Sequence, residues 1–186
     1  MSKPNAVEWV ALITGIIGAL AWLPTIVPLL LPQKIRGKVI SQYANVGKLA
    51  DGSDAAIFLQ KVALFASNKD FFLKEIEIYL KYPGSPEEKC RSWTWRALTF
   101  TFPEDGRQVQ KQLAIDAREY LAHQTVLPRD QAIVGYVSFS SSHLRDEKYE
   151  YVKYVLIDFD GKRRDFVIRG ADVRDNETLF DERIWR

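Results

Sequence analysis

Hydrophobic and polar positions change rhythm once along this chain, near residue 33. Before that point, from Trp9 to Leu31, no residue is charged. After it, apolar residues recur at every second position over short runs separated by turn formers. The first pattern predicts a helix that is apolar all round, the second a set of half-buried strands.

The uncharged run holds twelve Val, Ile or Leu residues. As a helix at 1.5 Å per residue it reaches roughly 34 Å, against a hydrocarbon core of about 30 Å. Its aliphatic side chains favour insertion by at most about 4–7 kcal/mol. Pro24, Pro28 and Pro32 sit toward its far end. A proline costs about 3 kcal/mol in a soluble helix, less where neighbours satisfy the freed carbonyls. A regular helix to about Leu23 followed by a kinked end is expected. Ala19-Leu20-Ala21 mimics a signal-peptidase site, but the ten residues after it are still apolar, whereas a cleaved signal gives way to polar sequence. The expectation is an uncleaved single-pass anchor over 9–32 behind a short flank, 1–8. A cleaved signal and a buried soluble helix are the alternatives.

The flanks set an orientation. Lys3 precedes the run, whereas Lys34, Arg36 and Lys38 follow it. The positive-inside rule then puts the C-terminal part in the cytoplasm. The same three cations are candidates for contact with lipid headgroups. Ala11, Gly15 and Ala19 form a small-residue stripe spaced by four, a candidate face for helix self-association and hence for a homo-oligomer.

Beyond residue 33 the clearest alternation is in Lys74–Gly84. Ile76, Ile78, Leu80 and Tyr82 share one face, and Pro83-Gly84 ends the run. Arg91–Phe102 changes parity, so a bulge or break near Arg96-Ala97 is expected. Ala132–Ser140 and Tyr149–Phe159 read as strands, the latter turning at Asp160-Gly161 into Arg163–Ile168. Gly37–Val46 reads as the first strand. Ala55–Ser67 has helical spacing as an alternative but is read as a strand, and Leu113–Gln124 is left as strand or short helix. The tail, 170–186, is charged, with Leu179, Phe180, Ile184 and Trp185 as docking candidates.

Seven or eight short strands without a βαβ rhythm predict an all-β, antiparallel sandwich over 33–169. Val126–Phe139 runs from a Leu-Pro turn through polar residues into an alternating strand carrying Tyr136. In this it resembles the corner leading into the penultimate strands of immunoglobulin-like sandwiches. The resemblance is architectural, covers about 130 residues, and lacks the usual cysteine pair, Cys90 being the single cysteine. It implies a scaffold for binding or oligomerisation rather than catalysis.

Composition narrows the chemistry. With 26 basic and 24 acidic residues the net charge is +2, which offers no concentrated positive field for nucleic acid. One cysteine excludes an intrachain disulfide. His123 and His143 stand at no metal-ligand spacing, so neither a metal nor a cofactor is expected. Asp158-Phe159-Asp160-Gly161 reads as a hairpin turn, and Lys162-Arg163-Arg164 as an ordinary charged hairpin tip. Ser138, Ser140, Ser141 and Ser142 precede His143, but a nucleophile needs a positioned base and a third group, so this run is read as a solvated loop. Glu87-Glu88 and Asp146-Glu147 are read as loop charges. The longest polar loop, Ser140–Lys148, is the best candidate recognition surface, with Ser141, His143 and Arg145 in it.

No enzyme activity is expected. The functional expectation is a membrane-anchored sandwich that binds a protein or small ligand. The alternative is a membrane-perturbing effector activated when its sandwiches cluster, a layout shared by small bacterial toxins and defence effectors.

Overall fold

The computed structural model describes residues 6–48, 52–94, 97–143 and 148–173. It divides into two units, Met1–Gln33 and Lys34–Arg186.

The first unit contains α1, Ala6–Leu30. It continues through Pro24 and Pro28, and Leu31 N still donates to Val27 O at 3.1 Å. The last two turns, after Leu23, where a kinked end is expected, are thus part of the helix. Each proline removes one donor, but helical φ suits its ring, and the rest of the ladder carries the turn. Within α1, side chains are described at 13–18, 20–25 and 27. Among the described residues no helix is long and apolar enough to cross a membrane.

The second unit is built from antiparallel strands. In chain order they are β1 (Lys34–Lys48), β2 (Asp54–Ser67), β3 (Phe71–Lys81), β4 (Glu87–Lys89), β5 (Arg91–Trp93), β6 (Ala97–Glu104), β7 (Arg107–Ala114), β8 (Val126–Leu127), β9 (Ala132–Ser141), β10 (Tyr151–Asp158) and β11 (Arg163–Arg169). One sheet has the order β1-β2-β9-β5; the other has β11-β10-β3-β4, with β8 on the start of β3. The hairpin β6–β7 forms a separate two-stranded sheet.

The all-β expectation holds, and Ala55–Ser67 is a strand. Its even-numbered residues Ala56, Phe58, Gln60, Val62, Leu64 and Ala66 are all buried, a period no helix produces. β1 starts at Lys34, three residues earlier than expected. Leu113–Gln124 is neither a full strand nor a helix. β7 ends at Ala114 and two 3-10 turns follow, Ala117–Glu119 and Leu121–His123. Asp116 caps the first through its side chain and shares a capping box with Glu119. The break expected near Arg96-Ala97 falls between two sheets, since β5 stops at Trp93 and β6 begins at Ala97 in a different sheet.

Two bulges explain where the simple alternation fails. In β1 the register with β2 shifts between Val39 and Ser41, leaving Ile40 exposed at 46%. In β3, Phe71 and Leu73 face inward, yet so do Ile76, Ile78 and Leu80. The register with β10 shifts opposite Lys74, between Ile157 and Asp158, and resets the parity.

The inner faces meet in one core that includes Phe58, Val62, Leu64, Ile78, Leu80, Phe139, Val152, Tyr154 and Leu156. Phe58 stacks on Phe139 and meets Tyr149 edge-on. A buried polar cluster bridges the sheets. Tyr149 hydroxyl donates to Gln42 Oε1 at 2.7 Å, Gln60 Nε2 donates to the Tyr149 hydroxyl at 3.2 Å and to Gln42 Oε1, and the Tyr154 hydroxyl donates to Gln60 Oε1. Burial drives the Tyr154 phenol well above its ordinary pKa, so it acts as a fixed donor.

Register also sorts the loops. Lys34 pairs with Ser67, so the start of β1 lies at the same end as the β2–β3 turn, where Asn68 has φ 73°. That end also carries the β10–β11 turn, with Gly161 at φ 79° as the expected turn glycine. Ala56 pairs with Ser141, which places the end of β9 at the opposite end of the sheet from Lys34.

Candidate functional site

At the end of the sandwich opposite Lys34, a carboxylate collects four donors. β3 runs out at Lys81 and continues to Tyr82, and the turn returns the chain as β4, where Leu80 pairs with Glu88. Cys90 then carries the chain over to β5 in the other sheet. This short crossing sets Glu88 beside the end of β9. Ser141 Oγ donates to Glu88 Oε2 at 2.6 Å. Ser142 donates to Glu88 Oε1 twice, from its N–H and from its hydroxyl, both at 2.8 Å. His143 Nδ1 lies 3.1 Å from Glu88 Oε2. The His143 N–H in turn donates to Ser141 Oγ at 3.1 Å. The His143 ring lies flat on Tyr82, 5.0 Å between centroids and 16° between planes.

Burial pushes the Glu88 carboxyl pKa up, but the Ser141 hydroxyl, both Ser142 donors and His143 together outweigh it and hold the carboxyl below its ordinary value. Burial raises the Tyr82 phenol, and only partly does its bond with Ser141 offset this. Burial also pushes the Cys90 thiol up, so Cys90 is a packed thiol rather than a reactive thiolate.

The serine run is therefore not the solvated loop the sequence suggests. Ser138, Ser140 and Ser141 belong to β9 and are buried. Glu88 is not a loop charge but the hub of the cluster. Both hydroxyls next to His143 donate to Glu88, so neither is set to pass its proton to the imidazole. The arrangement fixes the base of a loop and a ring, with His143 turning Nδ1 toward Glu88. Of the expected recognition residues, Ser141 is a buried support, His143 is 28% exposed at its side chain, and Arg145 lies outside the described residues.

The other candidate residues fall elsewhere. Lys34, Arg36 and Lys38 are exposed, and alternate along β1 with the buried Ile35 and Val39. They form one face of β1. Gly15 is exposed in α1, and a Cβ built on it meets nothing within 4 Å. The side chains of Ala11 and Ala19, and the tail residues Leu179, Phe180, Ile184 and Trp185, lie outside the described residues. Two residues of the basic hairpin tip are paired: Arg163 shares Glu77 with Lys89, and Lys162 meets Asp160 at 3.4 Å. Among the described residues no group of three or more His, Cys, Asp or Glu could hold a metal ion.

Since the folded-state pKa of Glu88 is depressed, its ionised form contributes stability that is fully present above the ordinary carboxyl pKa. That contribution is lost as pH falls through the folded value. Acid unfolding of Glu88→Gln is expected to show a shallower loss of stability below about pH 5 than the parent. Equal slopes for the two proteins in urea unfolding at pH 3–6 would count against the hub.

No protein-family model, curated protein or solved structure matches this chain.

Proposed function

We propose that the chain is a single-pass membrane protein whose immunoglobulin-like sandwich is a binding module. The observation that carries the anchor is in the sequence: the run Trp9–Leu31 is uncharged and holds twelve Val, Ile or Leu residues, all but its last residue lying in α1, although among the described residues no helix is long and apolar enough to cross a membrane. A run of that length in helical form matches the hydrocarbon thickness.

Strand order supports the immunoglobulin-like reading. Such sandwiches run A-B-E-D in one sheet and G-F-C in the other, with C′ added beyond C in variable-type domains. Lettering β1, β2, β3, β4, β5, β9, β10 and β11 as A, B, C, C′, D, E, F and G reproduces both orders. Strands β6, β7 and β8 are then an insertion between D and E. The corner expected around Tyr136 is not the entry to the penultimate strand, because Tyr136 lies inside β9, opposite Lys61. Tyr149, two residues before β10, stands at that entry, and its hydroxyl anchors in the core on Gln42.

The binding surface of this reading is the end carrying Tyr82, Glu88 and His143. It lies at the end of the sandwich opposite Lys34. The positive-inside bias of Lys34, Arg36 and Lys38 favours the cytoplasm for the sandwich.

On washing membranes with alkaline carbonate, the full chain is expected to stay in the pellet, and a variant lacking residues 1–33 to move to the supernatant. Release of the intact chain would overturn the anchor. Protease protection in inside-out vesicles reads the topology. The clustering alternative draws on the open surface at Gly15. It expects membrane depolarisation on overexpression that Gly15→Leu abolishes.

A further inference from the structure

Among the described residues of the sandwich, the two most exposed large hydrophobic side chains are Phe159 and Phe72, at 63% and 56%. Register makes them neighbours. Asp158 pairs with Leu73 in the β10–β3 ladder, so one step further out Phe159 stands beside Phe72. On its other side Phe72 pairs with the half-buried Val126 of β8. Phe71 and Leu73 take the inward positions in this part of β3, which turns Phe72 outward. Three elements thus contribute one apolar row, Val126, Phe72 and Phe159. Farther along the outer face the sheet carries ion pairs, Glu77 with Lys89 and Arg163, and Glu87 with Lys153. A single exposed apolar residue needs no explanation, but adjoining exposed aromatics with a polar rim mark a contact surface.

The position of the row says what it meets. It lies at the end of the sandwich where β1 begins, since Lys34 pairs with Ser67 just before the turn into Phe71. Only Pro32 and Gln33 separate Lys34 from the uncharged run Trp9–Leu31. Exposed lysines accompany the row, Lys74 two residues along β3 and Lys162 in the β10–β11 turn. The acids of the same turns are engaged locally. Asp70 accepts the Arg129 N–H at 2.6 Å, Asp158 accepts the Lys162 N–H at 2.7 Å, and Asp160 meets Lys162 Nζ at 3.4 Å. Aromatic rings among lysines suit the boundary between headgroups and acyl chains.

We propose that this end of the sandwich docks on a phospholipid bilayer, the rings of Phe72 and Phe159 entering the headgroup region and the lysines meeting phosphates. The inference rests on the reading of Trp9–Leu31 as an anchor. Tethering makes the second contact intramolecular, so a patch too small to hold a free protein on a membrane suffices. The anchor keeps the chain on the membrane, and the rings hold the sandwich against it.

The test uses the full chain reconstituted in vesicles of phosphatidylcholine and phosphatidylglycerol. Asp160→Cys places a bimane label beside Phe159, and Ser85→Cys places one at the opposite end; Cys90 is buried. Doxyl-labelled phosphatidylcholine is expected to quench the label at 160 about twofold or more beyond that at 85, from the depth of an interfacial residue, about 5–10 Å. Phe72→Ser with Phe159→Ser is expected to bring the two labels level, with circular dichroism unchanged because both positions are exposed. Carbonate washing is expected to leave parent and variant alike in the pellet, since the anchor is intact in both. Equal quenching at 160 and 85 in a chain that resists carbonate would overturn the docking and leave the anchor standing. So would quenching that survives the double substitution. A label at 160 shielded from both the doxyl lipid and aqueous iodide would mean that a second copy covers the row, and would overturn the lipid as its occupant. Release of the parent by carbonate would overturn the anchor, and the docking that rests on it.

Discussion

Gln60→Ala is expected to destabilise the sandwich by about 4 kcal/mol, a third or more of a typical domain's stability. Gln60 is fully buried on β2, and its amide joins both sheets. Its Nε2 donates to Gln42 and Tyr149, and its Oε1 accepts the Tyr154 hydroxyl. Alanine opens a cavity at the centre of the core and strips the Tyr154 phenol of that acceptor. An orphaned buried hydroxyl costs about 1–3 kcal/mol on top of the cavity. Tyr154→Phe separates these contributions. In the parent it is expected to cost about 1–2 kcal/mol, and in the Gln60→Ala background to be neutral or stabilising, because the hydroxyl it removes has already lost its partner. Urea unfolding followed by tryptophan fluorescence measures the four corners of this cycle. A loss below 1 kcal/mol for Gln60→Ala, or additivity of the two changes, would show that the polar bridge is incidental to the core.

Gly170→Ala is expected to be nearly as damaging, at about 3 kcal/mol or more. A Cβ built at Gly170 falls 1.9 Å from the Tyr149 carbonyl oxygen, a backbone atom that no rotamer change can move. Gly170 N–H also donates to Glu150 O at 2.8 Å, so retreat from the clash breaks the bond that closes the end of β11 on the entry to β10. Tyr149 carries the hydroxyl on Gln42, which ties this contact to the same buried bridge. Gly84→Ala is the control. Gly84 sits at φ 68° with open space around its Cβ, and alanine there is expected to cost only about 1–2 kcal/mol of left-handed strain. If both glycines tolerate alanine equally, close approach is not what Gly170 provides.

Most strands were legible because one buried face writes itself as alternation. Ile76, Ile78 and Leu80 are inward in β3 as their spacing predicts, and Asp160-Gly161 turns the chain where a left-handed glycine was expected. The reading failed where the ladder carries an extra residue. Phe71 and Leu73 belong to the same strand as Ile76, but the bulge puts them in opposite parity, and a strictly alternating template excludes them. The helix ends at Leu30, close to the end of the expected 9–32 segment, and it takes in Pro24 and Pro28 because a ring with helical φ costs one donor while the neighbouring i→i−4 bonds continue.

The candidate site was only half legible. His143 and Ser141 were picked out as part of a polar loop, yet Ser141 is buried and works as a donor to Glu88. Glu88 itself carried no signal. It stands 53 residues from Ser141 in sequence and reads there as one of two adjacent surface acids. Nothing in a single-residue pattern marks which of Glu87 and Glu88 turns toward β9. The tool that does so is the alternation of β4 together with the one-residue crossing at Cys90, and both depend on β4 pairing with β3.

By itself the sequence determined an uncharged helical segment followed by an antiparallel β domain. Helix and strand differ in period, and a period survives without knowledge of neighbours. Tertiary structure alone decided which strands lie side by side, where the sheets are bridged, and which distant groups meet. Gln42, Gln60, Tyr149 and Tyr154 come from four separate places in the chain and become one hydrogen-bonded cluster only after the sheets close. The physical reason is that alternation specifies the face a residue turns to, whereas its partner across the core is set by strand order, register and bulges, which are properties of the whole fold.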